Sequence, residues 1–339
     1  MKRVFVALVA ATMTMSAVLA TSGPAQSRPM SERPPWIPGP QWTPWSPVPP
    51  RPPKPSKPPK PPKPPTPSPS PTPSPSPSPS GATIVGMSAP GNLWGQRISE
   101  VGACGVEARR IFASLQSDGR SQSKTIEQAV KAGMMPVVSY KVPSVATLIS
   151  GGYDAWLTAT RTYLDSLNVQ VTATFWHEPH GDMSTADFRA GSQKFLDGVQ
   201  APDIAVGPIL NGFLLDNRVA DFAAYTSPEL LKAWDFVGID IYQAGTESQP
   251  GAGAARGVVN LEAWMDKQGY PDKPIAVGEY NGYSAQTIAA TGEAILSTPE
   301  VWFGLLFNSD VGAKGNVLEG EQITAYQQTK ADKRAKNDC

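Results

Sequence analysis

The chain has 339 residues, with 29 Lys and Arg against 29 Asp and Glu, 37 prolines, two histidines and two cysteines. The charge is split: nine basic residues but only one acid, Glu32, precede residue 81, so residues 81–339 hold 20 basic and 28 acidic groups, a net charge near −8. An acidic domain of this size is a poor nucleic-acid binder, and so few histidines and cysteines would leave carboxylates to complete any metal shell.

Residues 1–20 run from Lys2 and Arg3 through the apolar stretch Val4 to Leu19, with small residues at Val18 and Ala20. That is the layout of a secretory signal peptide, although a retained anchor is the other reading. Residues 21–80 form a Pro/Ser/Lys-rich linker, PPKPPKPPTPSPSPTPSPSPSPS at its end. It has almost nothing to bury and few backbone donors, which predicts an extended polyproline II tether. It serves as a plain spacer or as a wall-spanning, O-glycosylated stalk. Trp36, Trp42 and Trp45 lie ahead of it among prolines, with no fold around them.

The remaining residues, 81–339, match the length of an eightfold β/α barrel. Strands are predicted over 83–87, 110–114, 135–140, 169–176, 204–210, 236–242, 274–279 and 301–307, from short β-branched or apolar runs. Helical patterns fall at 123–132, 153–167, 186–199, 261–268, 285–296 and 319–334. Runs such as PIAVG and VWFGLLF read as strands buried on both faces. No Gly-x-Gly-x-x-Gly follows the first strand, which argues against a dinucleotide-binding open sheet. The expected fold is therefore an α/β protein, a (β/α)8 TIM barrel behind a signal peptide and tether. Cys104 then ends the first helix, next to the last helix around the ring, so a Cys104–Cys339 disulfide would close the seam; two free thiols are the alternative.

Barrel chemistry sits at the C-terminal ends of strands. Glu178 ends strand four in TATFWHEPHGDMS, and Glu279 ends strand seven in GEYN. These strands face one another across the mouth, so both side chains can reach one ligand. Glycoside hydrolysis with retention needs such a pair, a protonated acid and an ionised nucleophile roughly 5 to 5.5 Å apart. Trp176, His177 and Pro179 surround Glu178 with partly apolar groups that would raise its pKa. Tyr242, ending strand six, could donate to Glu279. Tyr140, Lys141 and Asn211, at the ends of strands three and five, could bind sugar hydroxyls. Trp94, in the loop after strand one, could stack on a sugar or cover the barrel top. Asp240 points the same way as Tyr242 and needs a partner. Trp302 is too early in strand eight and reads as core. His177 and His180 flank an acid, but Pro179 disfavours a shared helical face, and the His-Glu-x-x-His spacing is absent. No Gly-x-Ser-x-Gly appears.

WHEP, DFVGIDIYQ and KPIAVGEYN resemble the corresponding strand ends of glycoside hydrolase clan A. His before the strand-four Glu is most similar to family 26, which includes β-mannanases, β-1,3-xylanases and mixed-linkage β-glucanases. The resemblance spans residues 82–335 and implies Glu178 as acid/base and Glu279 as nucleophile. It implies His177 as a sugar contact and Tyr242 as the residue positioning the nucleophile. Two departures stand out: Gly181-Asp182-Met183 replaces a Gly-x-Trp, and Phe307-Asn308 stands where clan members often have a Trp.

The expectation is a secreted, monomeric endo-β-glycosidase that needs no cofactor and cuts a β-linked mannan, glucan or xylan by double displacement. Its partners would be that polysaccharide and, through the tether, the cell wall. The alternatives are a carbohydrate-binding or wall-attachment module on the same barrel, and a metal-dependent hydrolase.

Overall fold

The structure is a computed structural model that describes residues 81–310, 316–337 and 339. The signal-peptide and linker expectations lie outside the described residues. Strands β1 (Ile84–Ser88), β2 (Ala108–Ser114), β3 (Met135–Lys141), β4 (Val171–Phe175), β5 (Ile204–Val206), β6 (Ile209–Asn211) and β7 (Val237–Tyr242) come first. A two-residue pair, β8 (Gly245–Thr246) and β9 (Gln249–Pro250), forms a small hairpin, and β10 (Ile275–Asn281) and β11 (Val301–Phe307) complete the sheet. The large sheet is all parallel, in the order β5-β4-β3-β2-β1-β11-β10-β7-β6.

The two ends of that order, β5 and β6, are separated in sequence only by Gly207 and Pro208. They are halves of one barrel strand: the first pairs with β4 and the second with β7, which closes the ring. The expected continuous strand over 204–210 is thus broken. Pro208 has no N–H for the ladder, and a Cβ at Gly207 would lie 2.3 Å from the Phe236 carbonyl oxygen. Counting the halves together leaves eight strands, and the fold is a (β/α)8 barrel.

Helices α1 (Trp94–Val101), α2 (Ser123–Lys131), α3 (Val145–Ile149), α4 (Asp154–Asp165), α5 (Thr185–Val199), α6 (Gly212–Asn217), α7 (Val219–Ala224), α8 (Pro228–Ala233), α9 (Ala255–Lys267), α10 (Ala285–Ser297) and α11 (Glu321–Ala331) link the strands. Serine starts four of them: the hydroxyls of Ser144, Ser184, Ser227 and Ser284 accept from the backbone N–H three residues on, at 3.1–3.2 Å. Each such cap satisfies one orphan donor of the first turn. The sequence pattern missed α3 and α6 to α8, which are too short for a helical period to show, and it started α9 six residues late. Trp94 begins α1 rather than standing in a loop.

Apolar residues form two layers. The outer one, between strands and helices, includes Val138, Tyr140, Trp156, Phe175, Phe188 and Phe195. The inner one fills the lumen with Ala108, Met135, Val137, Ile209, Phe236, Ala276, Phe303 and Leu305. Trp302 packs against its lower part, 5.9 Å from the Phe236 ring, and is core as expected. Among the described residues, no helix is long and apolar enough to cross a membrane.

Where the ring's first and last helices meet, Gln327 donates to the Val101 carbonyl at 3.2 Å and Lys330 donates to that of Cys104. Cys104 and Cys339 are joined in a disulfide, with Cα atoms 5.7 Å apart. It clamps the chain end to α1 and closes a loop spanning 235 residues of separation. Replacing both cysteines with serine should lower the unfolding free energy by about 2–4 kcal/mol, the usual range for a bridge across a long loop. A thermal midpoint that did not move would mean that packing alone holds the seam.

Candidate active site

Three inward residues crowd the lumen above its apolar layer. Arg110 on β2, Asp240 on β7 and Glu279 on β10 are each more than nine-tenths buried. Arg110 Nη2 lies 3.6 Å from Asp240 Oδ2. Asp240 needed a partner on sequence grounds, and Arg110 is that partner; the sequence analysis did not single it out. An arginine in the strand ARRIFAS was the available signal, because one of two adjacent arginines must point into the lumen.

Glu279 reaches this cluster through an irregularity in β10. Ala276 faces the lumen and Val277 the outer layer. Strict alternation would then send Glu279 outward with Val277. The register against β7 slips between Val277 and Glu279, pairing Val277 with Ile239 and Glu279 with Asp240. The extra residue is Gly278, and the bulge turns Glu279 inward and Tyr280 out into the core. Only glycine fits there: a Cβ would lie 2.5 Å from Asp240 Oδ1 and 2.9 Å from Arg110 Nη1.

Glu178 is aimed by a second irregularity. Trp176 and Glu178 both have left-handed backbone, with φ of 46° and 49°. Each non-glycine residue held there costs on the order of 1–3 kcal/mol and must be held by its surroundings. Here the Trp176 N–H donates to the Tyr140 carbonyl at 2.9 Å, and the Glu178 N–H donates to that of Ile209 at 3.0 Å. The turn is pinned to strands on both sides.

The two carboxyls have unlike surroundings. Tyr242 donates its hydroxyl to Glu279 Oε2, and Ser88 donates to Oε1 at 3.4 Å. Burial raises the Glu279 pKa, while Arg110, Tyr242 and Ser88 act to lower it. Burial also raises Glu178, and the negative charge of Glu279 pushes it further up. Arg110, Lys141 and a hydrogen bond from Asn211 oppose that rise. Within the pair, Glu178 is the carboxyl raised by the other's charge, and Glu279 the one whose hydrogen-bond donors oppose its burial-driven rise. Tyr242 is held as a neutral phenol by burial and by the Glu279 charge.

His177 packs its ring 4.9 Å from that of Phe112. Burial, with Arg110 and Lys141 nearby, pulls its pKa down to about 3, so it is a neutral imidazole. His180 instead meets the Tyr225 hydroxyl at 3.3 Å, and its backbone N–H donates to Asn211 Oδ1 at 3.1 Å. The two histidines thus face different partners. Asn211 is engaged with this turn and with Glu178.

Trp176 is half-buried, and its indole N–H donates to Asp182 at 2.8 Å. Asp182 also pairs with Lys141 at 3.1 Å, and the Lys141 ammonium sits 5.1 Å above the Trp176 ring. Asp182, in the departure Gly181-Asp182-Met183, is therefore the anchor of Trp176. Phe307 packs edge-on to Tyr242 at 5.8 Å between ring centres. Two candidates lie elsewhere. Tyr140 is 0% exposed, packed outside the barrel against Trp156 and Phe195. It is a core residue and not a sugar contact, because its place in β3 puts it on the outward face. Trp94 has one ring face covered by the Arg109 guanidinium at 4.1 Å.

The raised Glu178 has a consequence for stability. A carboxyl whose folded pKa exceeds its unfolded value of about 4.3 stabilises the fold fully below that value. The contribution is lost as pH rises through the folded pKa. Glu178→Gln should therefore unfold at a higher temperature than the parent near neutral pH, with the difference shrinking towards pH ~4. A gap that stayed constant across that range would refute a burial-raised Glu178.

No family profile matches the sequence, and no curated protein sequence matches it significantly. Solved structures do match. Family 26 protein GH26C of Muricauda sp. MAR_2010_75 superposes with a TM-score of 0.53 at 10% identity, over 76% of this chain and 87% of that one. The mannanase man26 of Bacillus subtilis gives 0.47 at 14% identity, over 72% and 84%. The catalytic domain of a mannanase from Streptomyces sp. SirexAA-E gives 0.45 at 17%, over 70% and 78%. At such identities the likeness is one of fold. The chain shares the (β/α)8 barrel fold with GH26C.

Proposed function

We propose that the protein is an exported, retaining endo-β-glycosidase acting on a β-linked polysaccharide such as a mannan, glucan or xylan. The observation that carries this reading is the pair of carboxyls at one barrel mouth with unlike surroundings: the Glu279 charge adds to the rise of Glu178, while Arg110, Tyr242 and Ser88 oppose the rise of Glu279. A glycosidic bond needs that division of labour, since one group must donate a proton while the other attacks.

In the first step Glu279 attacks the anomeric carbon. Glu178 gives its proton to the leaving oxygen as the glycosidic bond breaks, leaving a glycosyl ester on Glu279. In the second step Glu178, now ionised, takes a proton from water. That water attacks the anomeric carbon, and Glu279 leaves as carboxylate. Tyr242 orients Glu279, and neutral His177 contacts the sugar beside the acid. The Trp176 ring, held by Asp182, lines the other side. The layout of residues 1–20 supports export, and the proline-rich residues 21–80 suit a tether to the cell wall.

Reducing-end release from β-glucans, β-mannans and β-xylans should identify one cleaved backbone. On it, Glu178→Ala should lower kcat by about 10² to 10⁴, the usual worth of a general acid–base group, and Glu279→Ala by at least as much. NMR of the first product should show the β-anomer. Inverted product would sink the double displacement, and unchanged sugar binding with no cleavage of any backbone would make the barrel a binding module.

Tyr242→Phe removes one hydrogen bond to a charged group, worth about 1.5–3 kcal/mol, so kcat should drop roughly ten- to a hundredfold. Activity against pH should be bell-shaped. The acid limb reports protonation of Glu279, and the alkaline limb reports loss of the raised Glu178 proton. In Glu178→Ala the alkaline limb should vanish; its persistence would assign that proton elsewhere.

A further inference from the structure

Arg109 is not used by the chemistry proposed above, and its situation is unusual. It neighbours Arg110 on β2, so the two side chains leave opposite faces of the strand. Arg110 meets Asp240 in the lumen. Arg109 is only 2% exposed, and its guanidinium carbon lies 4.1 Å from the centre of the Trp94 ring. Its guanidinium makes no hydrogen bond or ion pair with any described residue. Burial draws its pKa down to about 10, with no carboxylate to oppose that shift. Taking an unpaired cation out of water costs several kcal/mol. A ring face returns only about 0.5–2 kcal/mol.

Arg109 and Arg110 also border a cavity of about 220 Å³ beside the ends of β1 and β11 and along β2, large enough for one sugar ring. Ser88, Pro90, Phe112, Gln122, Thr125 and Phe307 form much of the rest of its wall. Ser88 is the serine that donates to Glu279, so the cavity adjoins the carboxyl pair. Phe112 is 42% exposed and offers an apolar ring face at its edge. A buried cation, an aromatic face and flanking polar side chains form a site for a ring that carries one negative charge. A carboxylate suits it best, because its planar pair of oxygens matches the guanidinium fork.

We infer that this cavity takes a uronosyl residue, its carboxylate on Arg109, and that the polysaccharide acted on is acidic. The link to hydrolysis rests on the glycosidase reading; the binding of a uronoside does not. Neutral sugars would leave Arg109 buried and unpaired, so the site discriminates by charge as well as by shape.

The test is calorimetry or ligand-observed NMR on the full chain with methyl β-D-glucuronide and methyl β-D-glucoside. The glucuronide should bind at least about tenfold more tightly, in line with one charge-assisted contact. Arg109→Gln should abolish that preference, and Arg109→Lys should restore part of it. Equal affinity of the unaltered protein for the two glycosides would overturn the proposal without any variant. So would a glucuronide affinity unchanged in Arg109→Gln, or full displacement of the glucuronide by equimolar sulfate, which would mark a general anion site. Because binding is read without turnover, a uronoside preference with no hydrolysis would refute only the catalytic reading. Hydrolysis of a neutral backbone with no uronoside preference would refute only the acidic substrate.

Discussion

The lumen holds one guanidinium among three carboxyls, and the arrangement at the mouth depends on it. Arg110 faces Asp240 at 3.6 Å, yet burial, with the charges of Glu279 and Glu178, pushes the Asp240 carboxyl well above its ordinary range against the pull of that guanidinium. Asp240, Glu279 and Glu178 all feel its positive charge. Burial raises all three carboxyls against that pull, Asp240 well above its ordinary range, so the cluster holds on to protons. Hydrogen bonds decide where they stay. Tyr242 and Ser88 both donate to Glu279, which favours its ionised form. Glu178 has one amide partner and lies in the field of that charge, which pushes its carboxyl further up.

This charge economy also explains two local features of the backbone. Gly278 is required because Asp240 and Arg110 fill the space where a side chain would begin. The same glycine makes the bulge that reverses the facing of Glu279. On the opposite wall, the left-handed residues Trp176 and Glu178 bend the chain away from β4 just where it would otherwise continue as strand. Neither feature improves the barrel as a barrel. Each stores strain or sacrifices pairing, and the surrounding hydrogen bonds to Tyr140 and Ile209 hold it in place.

How much of this was legible in the sequence follows from what periodicity can carry. The barrel was legible because buried parallel strands read as apolar runs, and the two glutamates because they end such runs. The break at Gly207-Pro208 was not, since an apolar run does not show which neighbour each half will pair with. Tyr140 was misplaced for a related reason: a tyrosine at a strand end has a polar tip, but alternation sets its face, and that face is the outer core. Arg110 was passed over because an adjacent pair of arginines resembles surface charge until the lumen-facing parity is counted. The role of Asp182 could not be seen either, because its partners Trp176 and Lys141 come from two different strand ends.

The polar groups of the barrel mouth therefore gather where regular alternation fails or where a charge sits on a buried face. Regular alternation on β7 places Asp240 and Tyr242 side by side, while a bulge on β10 is needed to bring Glu279 to them. On β2 the alternation itself divides two cations. Arg110 goes inward to hold the carboxyl cluster, and Arg109 goes outward to the cavity beside Trp94. One dipeptide thus supplies both the charge that acts on the carboxyl cluster and a charge with no carboxylate beside it. The first faces carboxyls of the fold, with Asp240 at 3.6 Å. The second has no carboxylate beside it and opens on a sugar-sized cavity, where an anionic ligand could meet it.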